Sequence, residues 1–193
     1  MIKIGLFGGT FDPVHIGHLI IAQEIYELCN LDKIIFIPSA RPPHKSSDMM
    51  FTARERFQML SSVIENNPCF EISDIEMKRQ GFSYTIDTIL EMKSILPVDT
   101  EFYFIVGKDN LFEINTWKNP LDIFDHCTVI VADRPYCDKK KIPDEYLDKI
   151  RIVNVPLIDV SSSEIRRKIR AKKSIRYIVP EPALITIRDK FAI

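Results

Sequence analysis

Little in this sequence belongs to a secreted, membrane-spanning or polyanion-coating protein. Its four cysteines (Cys29, Cys69, Cys127 and Cys137) form no CxxC pair and are scattered along 193 residues. That excludes a disulfide scaffold, and the apolar surroundings of Cys29, Cys69 and Cys127 point to reduced thiols in a cytoplasmic protein. No apolar run approaches the roughly 18–20 residues of a membrane span. The opening MIKIGLFGGTFDP turns glycine-rich too early for the apolar stretch of a signal peptide. Neither sign of charge dominates: 26 basic against 27 acidic residues leave a net charge of −1. Nucleic acid is therefore not an expected partner, because coating a polyanion needs a basic excess. Internal repeats, low-complexity segments and a domain-separating linker are also missing.

What remains is a chain that is 46% hydrophobic and rich in phenylalanine, with enough apolar residues for a sizeable core. Short β-branched runs alternate with helical periodicity. Strands are expected at Ile2–Phe7, Lys33–Pro38, Cys69–Ile72, Glu101–Val106, Cys127–Ala132 and Ile150–Val155. Helices are expected from Leu19 to Cys29, from a Thr52 cap (with Glu55 in the capping-box position) to about residue 66, and from Ser83 or Thr85 to near Pro97. Ser161–Ala171 and Glu181–Phe191 close the chain as helices. Nearly continuous apolar strands alternating with helices predict an α/β fold: a Rossmann-like, doubly wound parallel sheet of five to six strands. The length suits a single domain over residues 1–193, with the helical portion from about 161 packed on it. In such a sheet, ligands bind beyond the carboxyl ends of the strands.

Candidate chemistry falls in that zone. Gly8-Gly9-Thr10-Phe11-Asp12-Pro13-Val14-His15-Ile16-Gly17-His18 follows the first strand and enters the first helix. The glycines allow close backbone approach, and a helix start offers unpaired N–H groups to a phosphate. His15 and His18 share a face and could donate to phosphate oxygens, while Gly17 leaves room for a base or sugar. The turn is neither a P-loop nor a GxGxxG fingerprint. Nor do its histidines have the further ligands that a zinc site needs. Asp109, just past the fourth strand, is placed to accept from ribose hydroxyls. Trp117, the single tryptophan, lies in a polar stretch that implies a partly open face. Ser161-Ser162-Ser163 at a helix start can cap it and donate to phosphates, and Arg166, one turn in, can grip two phosphate oxygens. From Arg166 to Arg176, RRKIRAKKSIR holds seven basic residues. It reads as a solvated helix face with one functional arginine, or else as a nucleic-acid patch; no aromatic interrupts it to stack on bases.

GGTFDPVHIGH resembles the signature of the HxGH nucleotidyltransferase superfamily, and its wording is similar to that of the bacterial nicotinate-mononucleotide adenylyltransferases. His15-Ile16-Gly17-His18 also spells a tetrad of class I aminoacyl-tRNA synthetases, but the chain has no room for an anticodon-binding domain. Further segments fit the same resemblance in order: Pro42-Pro43-His44-Lys45, Ser83-Tyr84-Thr85, Gly107-Lys108-Asp109 with the downstream Trp117, Arg134-Pro135, and Val160-Ser161-Ser162-Ser163-Glu164-Ile165-Arg166. Around Tyr136 the sequence departs from the family's glycine-containing form. The resemblance implies adenylyl transfer from ATP to nicotinate mononucleotide, giving deamido-NAD and pyrophosphate. A related transferase acting on phosphopantetheine or glycerol phosphate is the alternative. It further implies catalysis by His15, His18 and Arg166. ATP would be held by Gly8, Gly9, Thr10, Phe11, His15, His18, Gly107, Asp109, Ser162, Ser163 and Arg166. The mononucleotide would be held by Thr10, Lys45, Tyr84, Thr85, Asp109, Trp117 and Arg134. Mg²⁺ is expected to arrive with ATP, since no carboxylate cluster stands out to cage it. A homo-oligomer is left open.

Overall fold

The computed structural model describes residues 1–43, 49–107, 114–133, 146 and 149–191. Six strands form one sheet: β1 (Ile2–Gly9), β2 (Lys33–Pro38), β3 (Phe70–Ile72), β4 (Thr100–Gly107), β5 (Thr128–Asp133) and β6 (Ile150–Asn154). The order is β3-β2-β1-β4-β5-β6 and every neighbouring pair is parallel. This is the doubly wound arrangement expected from the alternation, with its switch point between β1 and β4. Gly8 and Gly9 lie level with Ile37 and Pro38 of β2, so both strands deliver their carboxyl ends to one crevice.

Helices cover both faces because the strands bury both. Alternate residues Phe7, Ile34, Phe36, Ile105 and Ile130 join one core with α1 (Ile16–Leu28), α2 (Ala53–Ile64), α6 (Ser162–Arg170) and α7 (Glu181–Phe191). Leu6, Ile35, Ile37, Phe104 and Val106 join the other with α3 (Ile75–Lys78), α4 (Thr85–Ile95) and α5 (Pro120–His126). Ile165 and Ile169 of α6 and Ala183, Leu184 and Ile187 of α7 lie in the first of these cores, and the Lys190 ammonium of α7 donates to Glu55 of α2 at 2.6 Å. Among the described residues, no helix is long and apolar enough to cross a membrane.

Local chemistry sets the helix starts. Thr52 caps α2 through its side-chain oxygen, which accepts the Glu55 amide, while Glu55 accepts the Thr52 amide at 2.8 Å. That is the predicted capping box. The first helix starts three residues before the expected Leu19, because His15 supplies the cap and Ile16 begins the helix. The cap expected at Ser83 or Thr85 does not form. Tyr84, not Ser83 or Thr85, is the N-cap of α4, and it makes no side-chain cap. The Ser83 hydroxyl instead accepts the Arg41 amide at 3.1 Å, and the Ser83 amide donates to the Arg41 carbonyl at 2.9 Å. This pair ties the loop after β2 to the start of α4.

Candidate active site

The turn from β1 to α1 is held rigid from behind. Phe11 has φ +50° and its ring is buried against Phe7 and Phe36. A Cβ on Gly9 would come 2.9 Å from that ring, so only glycine fits there. The expected ATP contact of Phe11 is therefore confined to its backbone. Asp12, 2% exposed, accepts the amides of Met50 (3.0 Å) and Phe51 (2.9 Å), pinning the turn to the start of α2.

His15 and His18 are brought together. Their rings stack with centroids 3.7 Å apart, and the His15 amide donates to His18 Nδ1 at 3.2 Å. With Nδ1 accepting, Nε2 of His18 is left as the ring's donor. Gly17 does not make room for a ligand as the sequence led us to expect. It is buried, and a Cβ there would press on the His15 ring at 3.0 Å from Nδ1. The space next to Gly17 belongs to His15 itself.

The start of α6 docks on the same turn. Arg166 donates from Nη1 to the Asp12 carbonyl (2.9 Å) and from Nη2 to Ser163 Oγ (3.1 Å), and Nη1 lies 3.7 Å from the Asp12 carboxylate. The Ser161 hydroxyl caps α6 by accepting the Glu164 amide. The Ser162 hydroxyl donates to the Pro13 carbonyl at 2.9 Å, so its proton is spent on the fold and only its lone pairs remain. Ser163 keeps its own proton free to donate, because its oxygen accepts from Arg166. In the basic run behind it, Arg167 pairs with Glu164 at 2.6 Å. Arg166 thus differs from its neighbours in facing the turn.

On the other side of Gly8, Gly9 and Thr10 a cleft opens between the strand ends and α4. Tyr84, Thr85, Phe104 and Trp117 line it, with Glu76 and Lys118. Trp117 meets Phe104 edge-on at 6.0 Å and is half-buried, as its polar neighbourhood implied. Lys118 donates to both Asp87 oxygens (2.8 and 2.9 Å) and sits 5.2 Å from the Tyr84 ring centre. Gly107 ends β4, and no described residue comes within 4 Å of where a Cβ would be. Lys45 with His44, Asp109 and Arg134 lie outside the described residues.

Two residues that the sequence reading missed organise the cleft. Arg56 is fully buried in α2, where it donates to the carbonyls of Thr10 (2.5 Å), Ser39 (2.6 Å) and Phe51 (3.3 Å). Burial lowers its pKa, while Asp12 and Glu76 act in the opposite sense. One guanidinium so fixes the ends of β1 and β2 and the start of α2. The signal was present: Arg56 shares an apolar stripe with Met59, Leu60 and Ile64, where a charge needs partners. Glu76 in α3 accepts the Thr88 hydroxyl at 2.7 Å, and Arg79 donates to that hydroxyl at 2.9 Å and to Glu91 at 3.0 Å. No periodicity marks so short a helix.

Comparison with known proteins covers the same stretch. The family model described as cytidylyltransferase-like matches residues 6–168, from within β1 to within α6. A protein of Clostridium novyi (strain NT), named probable nicotinate-nucleotide adenylyltransferase, is 42% identical over 190 residues, covering 95% of this chain and 94% of its own. One of the same name from Caldicellulosiruptor bescii is 44% identical over 183 residues, covering 92% and 91%. Among solved structures, Plasmodium falciparum nicotinic acid mononucleotide adenylyltransferase complexed with NaAD superposes with a TM-score of 0.81 over 98% of this chain and 96% of that one. At 21% identity, that likeness establishes the fold.

Proposed function

The chain belongs to the cytidylyltransferase-like family and, within it, to the nicotinate-nucleotide adenylyltransferases, and from this we propose that it transfers the adenylyl group of ATP to nicotinate mononucleotide. The products are nicotinate adenine dinucleotide (deamido-NAD) and pyrophosphate, a step in NAD biosynthesis. An oxygen of the acceptor's phosphate attacks the α-phosphorus of ATP. The bond from that phosphorus to the bridging oxygen breaks, and its electron pair leaves with pyrophosphate. No protein nucleophile takes part, so the chain contributes positioning and charge stabilisation.

The observation that carries this reading is the shared wall. Gly8, Gly9 and Thr10 separate an aromatic cleft on one side from the stacked histidines and Arg166 on the other. Two substrates on the two sides would meet at the backbone amides of that wall. The acceptor's ring would enter the cleft beside Trp117 and Tyr84, with its carboxylate at the start of α4 near Thr85. The triphosphate would lie along the start of α1 and α6, receiving bonds from His18 Nε2, Ser163 and Arg166. His15 positions His18 through the stack and its amide. Lys45, Asp109 and Arg134 are assigned to substrates on their motifs alone. Mg²⁺ would enter on the triphosphate and neutralise part of its charge. Among the described residues, no group of three or more His, Cys, Asp or Glu side chains is placed to hold a metal. We place the reaction in the cytoplasm, on the reading of the cysteines as reduced thiols.

The test is pyrophosphate release from ATP with nicotinate or nicotinamide mononucleotide. Release with the nicotinate form is expected, and release with neither overturns the reading. His18→Ala should lower turnover about a hundredfold, as expected for losing one preorganised donor. Near-normal turnover with an intact fold would remove His18 from the mechanism.

A further inference from the structure

Besides Lys118, which Asp87 holds, the described lining of the acceptor cleft carries one charge that the adenylyl transfer itself does not use. Glu76 is 7% exposed and lines the cleft. Its Oε1 accepts the Thr88 hydroxyl, whereas Oε2 is buried with no hydrogen-bond partner. The cations around it are spent elsewhere. Arg79 gives one nitrogen to Thr88 and another to Glu91. Arg56 interacts with Glu76 only through its charge and directs its donors at three carbonyls. Lys118 is held by Asp87. A buried carboxylate with one oxygen unbonded is costly, and such groups call for an explanation in terms of what else they meet. Three aromatic rings, Tyr84, Phe104 and Trp117, also line the cleft. Aromatic faces attract cations.

Building on the acceptor assigned above, we propose that Glu76 is a specificity-determining residue that selects the acceptor by the positive charge of its pyridinium ring. A ribose phosphate is common to many acceptors. A flat aromatic ring carrying the charge of a quaternary nitrogen is not. Tyr84 and Trp117 offer apolar area and ring faces to any flat ring. Glu76 adds a field from the wall, which needs no hydrogen bond and is little screened where water is excluded. A neutral ring of the same shape keeps the stacking and loses the field.

The test compares two acceptors in the ATP-dependent pyrophosphate assay: nicotinate mononucleotide and its 1,4-dihydropyridine form. They share the phosphate, ribose and carboxylate, but the dihydro ring is uncharged and no longer aromatic, so the change of the ratio in Glu76→Gln is what isolates the charge. The wild-type protein should favour the pyridinium form by about tenfold or more in kcat/KM, chiefly through KM. Glu76→Gln, close in volume and uncharged, should shrink that ratio to about threefold or less while KM for ATP stays put. Glu76→Asp keeps the charge and should keep the preference. A purely architectural Glu76 would weaken both acceptors alike and leave the ratio unchanged, which overturns the inference. Equal use of both forms by the wild-type protein overturns it too, and that readout needs no variant to fold. Absence of release with the pyridinium acceptor in the wild-type protein would strike the assigned function itself, and the inference with it.

Discussion

Gly17→Ala separates the geometry of the histidine pair from the stability of the protein. The added methyl would sit 3.0 Å from His15 Nδ1 and 3.1 Å from its Cε1, with Ile158 Cγ2 at 3.8 Å on its far side. Such contacts force a shift of a few tenths of an ångström, and His15 is the group that can move. His15 is 3% exposed and stacked at 3.7 Å on His18, so its displacement passes to His18. Stability changes little, because two effects oppose. Alanine in a helix gains about 1 kcal/mol over glycine, and overpacking a buried site costs about 1–3 kcal/mol. The net is a loss of about 0–2 kcal/mol, which leaves most molecules folded. Turnover is more sensitive, since sub-ångström displacement of a positioned group costs on the order of tenfold to a hundredfold. The assay pairs pyrophosphate release at saturating ATP and acceptor with urea unfolding of the same preparation. The expected outcome is a kcat at least about tenfold lower with the urea midpoint nearly kept. A variant retaining more than half of wild-type kcat would refute the claim that Gly17 exists to seat His15.

Arg56→Met, similar in size and uncharged, should cost about 3 kcal/mol in urea unfolding, because it leaves three carbonyls without their donor and takes away a positive charge that acts on Asp12 and Glu76. A loss below about 1 kcal/mol would mean that the buried guanidinium is dispensable. Lys190→Met tests the link from α2 to α7. The Glu55 carboxyl is held below its usual pKa chiefly by the Lys190 hydrogen bond. A depressed folded pKa stabilises above the unfolded value of 4.5 and ceases to do so as pH falls through the folded one. The variant should therefore be less stable than wild type by a small margin at pH 7, about 0.5–1 kcal/mol for a partly exposed pair, and the margin should shrink as pH falls below 4.5 and through the folded pKa of Glu55. A deficit unchanged at low pH would assign the loss to packing instead.

The sheet was legible because parallel strands buried on both faces write themselves as apolar runs, and all six were expected within a residue or two of where they lie. The capping box at Thr52 and Glu55 was legible for a related reason: both of its bonds span three residues. What escaped depends on contacts far along the chain. Ser83 looked like a cap, but its hydroxyl is taken by Arg41, 42 residues earlier. Ser162 looked like a phosphate donor, but its proton goes to Pro13, 149 residues away. Arg56 sits on the buried face of its helix, and only the fold brings Thr10 and Ser39 to its tip. Phe11 stood inside the most recognisable motif, yet its ring serves the core. A motif identifies a turn, whereas the partition of its side chains between ligand and core is decided by neighbours that the motif does not contain.

The strand order also dictates when this protein can begin to work. β1 lies at the centre of the sheet, and its partner on the β4 side is about a hundred residues downstream, with Ile2 facing Thr100. A nascent chain that has emitted β1 and β2 holds an open strand edge until β4 arrives, and distant pairings of this kind close slowly. The turn then waits longer still, because Arg166 reaches Asp12 across 154 residues. The chain through Arg166 must leave the ribosome before the histidines and the arginine share one turn. A product truncated before α6 would therefore have the signature turn without Arg166 docked on it.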